Sequence, residues 1–86
     1  MTDAVTPFLR HCLQQYCEHA ADIHITHQAE ETGTVVYRVR VHEEDMPRVI
    51  GKGGRTIDAL RTLVRSMGAR EEQRFLLFLD ESGATV

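Results

Sequence analysis

A glycine-rich run at residues 49–55 constrains the fold of this chain more than any other segment. Its sequence is Val-Ile-Gly-Lys-Gly-Gly-Arg, which fits G-x-x-G between a short amphipathic stretch and a longer amphipathic helix. Glycine adopts backbone dihedrals closed to other residues, and the missing Cβ lets an anion approach the main chain. Because the first N–H groups of the following helix have no intrahelical acceptor, such a run is suited to holding a phosphate.

The residues alone leave two interpretations of this run open. In one, Lys52 and Arg55 add positive charge to a phosphate-binding loop; in the other, the glycines only turn the chain between two helices. Motifs of nucleotide hydrolases do not fit, because G-x-x-x-x-G-K-[ST] is absent and the glycines lack the spacing of G-x-G-x-x-G. The sequence therefore disfavours a nucleotide hydrolase.

Charge is distributed unevenly along the 86 residues, whose formal net charge is −3. Residues 47–70 carry six basic side chains and one acidic side chain, a net charge of +5, which leaves −8 for the remainder. A basic segment on an acidic chain favours a localised polyanion site. Alternatively, these charges form a solvated helix face that includes an Asp58–Arg61 pair. The six basic residues are Arg48, Lys52, Arg55, Arg61, Arg65 and Arg70.

The N-terminal part predicts a helix with Thr6 as N-cap and Pro7 at its first position, ending near His19. Its apolar residues recur at helical spacing on one face: Phe8, Leu9, Cys12, Leu13 and Tyr16. Cys12 and Cys17 lie about 140° apart around such a helix, so both are predicted to be reduced thiols.

The rest of the chain predicts two strands joined by a polar hairpin loop at residues 28–33, then two helices and a third strand. The first strand contains Ile23 and Ile25, and the second alternates over residues 35–41. A short helix starts at residues 43–45 and ends at Gly51, and a basic helix from about Arg55 stops at Gly68 as its C′ glycine. A strand at residues 74–79 and a frayed tail at residues 80–86 complete the prediction.

Length and composition predict one small domain with one core, and the chain is not expected to be an enzyme. No apolar run exceeds five residues and no signal peptide is recognisable, so we expect a cytoplasmic protein. Five histidines and two cysteines show no C-x-x-C or H-x-x-x-H spacing, so the sequence predicts no metal site and no cofactor. No nucleophile and base pair is evident.

The run from Met46 to Arg61, with I-G-K-x-G-R at its centre, resembles the central motif of the KH domain. The element order resembles the type II form found in bacterial proteins, and one KH unit spanning the chain is similar to the KhpA family of small RNA-binding proteins. The resemblance implies an order α-β-β-α-α-β, with a three-stranded sheet covered by three helices on one face. It implies a single domain over residues 1–86, with an ordered core at residues 5–80 and a flexible tail at residues 81–86.

The resemblance also implies a cleft that clamps about four nucleotides of single-stranded RNA. The expected RNA-binding residues are Arg48, Val49, Ile50, Gly51, Lys52, Gly53, Gly54, Arg55 and Ile57. In this expectation residues 51–54 hold the backbone, the basic residues neutralise phosphates, and Val49, Ile50 and Ile57 contact bases. Arg38 and Arg40 either border the site or face solvent. A short variable loop at residues 68–73 implies weak sequence selection.

The family resemblance implies an RNA chaperone or post-transcriptional regulator that forms a homodimer or pairs with a KhpB-type protein. The alternative is a protein-interaction or dimerisation subunit with a KH fold and little RNA binding. Retention of Gly51, Lys52, Gly54 and Arg55 favours RNA. Single-stranded DNA stays open as the ligand, because a phosphate clamp reads the sugar poorly.

Overall fold

The computed structural model describes residues 3–80, which form an α+β fold. Short 3₁₀ turns separate some of its elements, and residues 81–86, where a flexible tail is expected, lie outside the described residues. The helices and strands, in chain order, are α1 (Val5–Gln14), β1 (His24–Ala29), β2 (Val35–Arg40), α2 (Met46–Ile50), α3 (Arg55–Arg70) and β3 (Phe75–Leu79). The predicted order α-β-β-α-α-β and the fold class are confirmed.

The sheet has the order β1-β2-β3, with β2 at its centre. β1 pairs antiparallel to β2 through a tight turn, whereas β3 pairs parallel to β2, with Tyr37 opposite Leu77. A parallel partner needs a crossover connection, and the two helices α2 and α3 supply it. The second edge of β3 is therefore left unpaired by any strand among residues 3–80.

The core lies between one face of the sheet and the helices. Alternation along β2 and β3 turns Tyr37, Val39, Leu77 and Leu79 towards the helices, as period-two strands require. The apolar stripes of α1 and α3 pack onto this face, and the Tyr37 and Phe75 rings meet edge to face with centroids 5.5 Å apart. The buried helix residues are Val5, Leu9, Leu13, Val49, Ile57, Leu60 and Val64.

The start and end of α1 differ from the prediction. The helix begins at Val5 because Asp3 Oδ1 accepts the backbone N–H groups of Val5 and Thr6, at 3.0 and 3.1 Å. A carboxylate is a strong acceptor for the free donors of a first turn, so it caps the helix in place of the predicted Thr6. The helix ends at Gln14, and Tyr16 lies beyond it, 45% exposed, so the predicted burial of Tyr16 is wrong.

Gly68 is inside α3, so the prediction that it ends the helix as a C′ glycine is wrong. The helix continues to Arg70, and the turn after it carries a positive φ of 57° at Glu72. Gly68 is required for a different reason: a Cβ there would lie 2.8 Å from both the Gln73 carbonyl oxygen and Phe75 Cγ. The glycine therefore lets the returning chain pack closely on α3.

None of the helices within residues 3–80 is both long and apolar enough to span a bilayer.

Candidate nucleic-acid interface

The loop at residues 51–54 has a backbone that glycine makes possible. Gly51, Gly53 and Gly54 have φ values of 78°, 64° and 79°, in the backbone region that residues other than glycine seldom adopt. The N–H of Gly51 donates to Pro47 O at 2.9 Å to close α2, and the N–H of Gly54 donates to Gly51 O at 3.1 Å to hold the turn. The loop is therefore a fixed turn that leads directly into α3.

The three glycines differ in the space around them. A Cβ at Gly51 would collide with the Thr56 hydroxyl oxygen and lie 2.8 Å from the Thr56 backbone nitrogen, so the chain cannot accept another residue there without moving. A Cβ at Gly53 would meet nothing within 4 Å. Gly53 is thus the open point of the loop, at which an approaching molecule reaches the backbone.

The N-terminus of α3 faces the same loop. No side chain caps this helix, whose N-cap residue is Gly54. The exposed amide end of a 16-residue helix carries partial positive charge, and Lys52 and Arg55 stand beside it. Within residues 3–80 neither side chain has an ion-pair partner, so both charges are available to an anion.

Two other basic residues of the 47–70 segment, Arg48 and Arg61, already form ion pairs. Arg48 pairs with Glu18 at 2.7 Å and with Asp45 at 3.3 Å, on the side of α2 that faces the α1–β1 connection. Arg61 pairs with Asp58 at 3.1 Å. Arg48, an expected RNA-binding residue, is thus paired with acidic residues of the same chain. Arg65 and Arg70, farther along α3, are exposed and, like Lys52 and Arg55, have no ion-pair partner within residues 3–80.

Two of the expected apolar contacts lie in the core. Val49 is fully buried and Ile57 is 5% exposed, because both belong to the stripe that packs α2 and α3 onto the sheet. Ile50, one position along, is only partly buried. Of the three expected apolar residues, Ile50 is therefore the one with side-chain surface beside the loop.

Arg61 connects α3 to the free edge of the sheet. Its Nε donates to Leu77 O on β3 at 3.4 Å, a contact that no spacing in the sequence indicated. This contact ties the middle of α3 to β3, which is an edge strand of the sheet. Arg38 and Arg40 are exposed on β2, and the Arg38 guanidinium lies 5.5 Å from the centre of the Phe78 ring.

A groove lies on the surface between α1 and α3. It is a groove of about 410 Å³, with Cys12 and Tyr16 on one side and Ala59, Leu60 and Leu63 on the other. Leu63 is 48% exposed, which is high for a leucine beside an apolar groove. We call this surface the α1–α3 groove.

A buried carboxylate fixes the segment before α2. Asp45 is fully buried and accepts the backbone N–H groups of Glu18 and His19, both at 3.0 Å. Burial, the largest influence, raises the pKa of Asp45, but these two hydrogen bonds, together with the charges of His19 and Arg48, outweigh it and lower the pKa. The sequence predicted only a helix-start charge at this position.

The thiols of Cys12 and Cys17 are both free, as predicted. Burial, followed by the charge of Asp45, raises the pKa of Cys17 to about 11, with Arg48 acting in the opposite direction. Burial raises the pKa of Cys12 as well. Since the thiolate is the reactive form, neither environment favours a nucleophilic cysteine.

Comparison with known proteins identifies the family. The family model described as "KhpA/KhpB, KH domain" matches residues 6–77. The chain belongs to this family. Proteins named RNA-binding protein KhpA from Listeria monocytogenes and Leifsonia xyli are 43% identical over 65 residues and 40% identical over 63 residues. These alignments cover 74% and 73% of this chain and 83% and 82% of the relatives.

A KhpA-named relative from Chlamydia caviae is 32% identical over 74 residues, which cover 86% of this chain and 94% of the relative. No solved structure shows a significant match to the chain. The matched region of this KhpA/KhpB-family chain includes all of α1 but its first residue, all of β1 and β2, the first three residues of β3, and the G-x-x-G loop. The family resemblance expected from the motif is therefore confirmed.

Proposed function

We propose that this KhpA/KhpB-family chain is an RNA-binding protein that holds short single-stranded RNA at residues 51–54. The observation that carries the proposal is the fixed G-x-x-G turn, open at Gly53 and flanked by the unpaired cations Lys52 and Arg55. Family membership and the names of the relatives support it. A turn that only joins two helices needs glycine, but it does not need two available cations at the same point.

In this proposal the backbone amides of the loop and the start of α3 hold phosphates, and Lys52 and Arg55 neutralise them. Ile50 supplies apolar surface, and the edge of β3 that pairs with no strand offers backbone groups to base edges, except for Leu77 O, which accepts from Arg61. The proposal omits base contacts by Val49 and Ile57, because both are buried. Arg48 contributes indirectly, by holding the segment that precedes α2.

A single site of this size gives low affinity, so we also propose that the chain acts as a homodimer or with a KhpB-type partner. The exposed Leu63 and Tyr16 beside the α1–α3 groove support a self-association surface. Two linked weak sites raise avidity without new contacts. An RNA chaperone or post-transcriptional role in the cytoplasm is consistent with weak, sequence-tolerant binding by paired modules.

The competing function is a protein-interaction subunit that binds RNA weakly. The α1–α3 groove favours it, because the exposed apolar side chains of Tyr16 and Leu63 beside the groove suit a protein partner. The two functions separate when RNA titrations are combined with sedimentation of the free chain. Binding of a short unpaired RNA by a chain whose loop is intact supports the first function, and dimerisation without measurable RNA binding supports the second.

Matched ligands test the nature of the RNA site. Short unpaired RNA, its DNA counterpart and an RNA duplex are titrated against the chain under one salt condition. We expect single strands to bind more tightly than the duplex, because the proposed site takes splayed bases and a single backbone. A preference for the duplex would contradict the proposal, and equal binding of RNA and DNA would assign the site to single strands in general.

A further inference from the structure

Three donor side chains meet at a point that sequence spacing did not indicate. His19 lies in the α1–β1 connection, and His42 and Glu44 lie in the segment between β2 and α2. One donor atom from each of the three side chains lies within 4.8 Å of the other two. His19 Nε2 is 2.9 Å from Glu44 Oε1, and His42 Nδ1 is 4.0 Å from the same oxygen. We call these residues the His19–His42–Glu44 cluster.

The two imidazoles are stacked, with ring centroids 3.9 Å apart and planes 19° apart. The arrangement is held by backbone contacts as well as by the side chains. Asp45 Oδ2 accepts the His19 backbone N–H at 3.0 Å, and His42 Nδ1 accepts the Glu44 backbone N–H at 3.0 Å. The buried carboxylate of Asp45 therefore fixes the distance between the two segments that carry the donors.

We propose that the His19–His42–Glu44 cluster binds one divalent transition-metal ion of the Zn²⁺ type. Two neutral imidazoles and one carboxylate are a donor set that zinc accepts, whereas Mg²⁺ and Ca²⁺ prefer oxygen ligands throughout. Zinc bonds of about 2.0–2.2 Å place neighbouring ligand atoms about 3.3 Å apart in a tetrahedron. Because imidazole lone pairs lie in the ring planes, the two rings must rotate out of their stack for both nitrogens to reach one ion, with water completing the coordination.

Metal binding exchanges one interaction for another at His19. The neutral imidazole carries its proton on Nδ1, so that the Nε2 lone pair faces the ion, and Glu44 Oε1 moves from the imidazole to the metal. No covalent bond of the chain is broken, but His42 gives up the hydrogen bond that its Nδ1 accepts from the Glu44 backbone N–H, because that nitrogen holds the only free lone pair of the neutral ring. The adjacent residues are acidic, which favours a cation: Glu43 and Asp45 flank Glu44 in the chain, and Glu18 precedes His19. Arg48 is paired with Glu18 and Asp45.

A bound ion would join two segments that are distant in sequence and would stabilise the start of α2, the helix that ends at the G-x-x-G loop. This inference does not depend on RNA binding. A ligand that binds only the folded state raises the melting temperature, and saturation of one site should raise it by about 5 °C or more in a domain of this size.

Zinc titration of the whole chain tests the proposal. Calorimetry should give one Zn²⁺ per chain, and the melting temperature should rise with zinc and not with Mg²⁺. His42→Gln and Glu44→Gln should each lower zinc affinity at least tenfold. The matched control is His11→Gln, which removes an exposed histidine outside the cluster and should leave the affinity unchanged.

Two results would overturn the proposal: a parent chain that does not bind zinc, or zinc binding that survives in both cluster variants. An equal loss of zinc affinity in the His11→Gln control would also overturn the proposal, because the metal would then be held by histidines outside the cluster. Glu44 is exposed, so Glu44→Gln keeps the test valid if His42→Gln fails to fold, a condition checked by circular dichroism.

Discussion

Replacing Lys52 and Gly53 with aspartates should abolish most RNA binding while the fold survives. The change puts two carboxylates where the proposed phosphate lies, yet keeps Gly51 and Gly54. Gly51 cannot be changed safely, because a Cβ there would collide with Thr56. Gly53 can, because a Cβ would meet nothing within 4 Å, and aspartate is among the residues that tolerate its φ of 64°.

The expected loss of affinity follows from two contributions. Removing the Lys52 charge-assisted contact costs about 1.5–3 kcal/mol, and each new carboxylate about 6 Å from a phosphate in water adds about 0.7 kcal/mol of repulsion before screening. Since about 1.4 kcal/mol corresponds to a tenfold change, binding should weaken at least a hundredfold at low salt. Titration of the double variant with a short unpaired RNA, followed by fluorescence anisotropy, measures this.

The effect of the double substitution on the stability of the fold can be measured separately from its effect on RNA affinity. A residue other than glycine in the left-handed region costs about 1–2 kcal/mol, so the melting temperature should fall by about 4–16 °C. Ser66→Glu with Arg70→Glu is the control, since it changes the net charge equally near the other end of α3, about 20 Å away along the helix. The control should bind RNA within a few-fold of the parent. A folded double variant with the affinity of the parent would refute the clamp.

Four further outcomes are expected. The slope of log affinity against log salt should be about −2 to −3 per domain, because each neutralised phosphate of a single strand contributes about −0.7. A slope near zero in RNA titrations would contradict the proposed phosphate contacts. Leu9→Ala should lower the free energy of unfolding by about 2–4 kcal/mol in urea denaturation, since Leu9 is fully buried. Asp45→Asn should destabilise by about 2–4 kcal/mol, because the amide cannot satisfy both backbone donors and leaves Arg48 without its buried partner. Leu63→Asp should make the chain monomeric in sedimentation at tens of micromolar, a concentration at about the weak end of specific association, and should leave the fold unchanged. A variant that still forms a dimer would place the interface elsewhere.

The acid dependence of Asp45 has a definite sign. Its pKa is lowered in the folded chain from an ordinary value of 3.8, so its contribution to stability is present above that value and is lost as the pH falls through the folded-state pKa. The parent should therefore lose more stability below about pH 4 than Asp45→Asn does. Urea denaturation at several pH values compares the two. Equal losses would mean that the hydrogen bonds to Asp45 do not depend on its charge.

Sequence reasoning succeeded where a local pattern determines local structure. The alternation in β2 and the apolar spacing of α3 identified those elements and their buried faces, and the G-x-x-G motif identified the family. It failed where a contact is distant in sequence. Gly68 resembles a helix terminator, but it is glycine because Phe75 and Gln73 approach it from the returning chain. Nothing within the helix itself contains that information.

The same limit applied to the expected site residues. Val49, Ile50 and Ile57 are equivalent by composition, and only their packing separates the two core residues from Ile50. Arg48 also belongs to the basic segment by sequence, yet Glu18, contributed from beyond α1, binds its guanidinium. A charge count over residues 47–70 therefore overestimates the charge available to a ligand.

Asp45 links these observations. Its carboxylate holds the α1–β1 connection through two backbone donors and holds Arg48 on α2, so the chain entering the G-x-x-G loop is tied to the far side of the domain. A short five-residue helix has little stability of its own, and its position must come from such tertiary contacts. In the proposed clamp the loop needs a fixed entry, because its amides would bind a phosphate only if they already point towards it. The acidic residues before α2, which by sequence look like an electrostatic start signal, therefore also serve to position the loop.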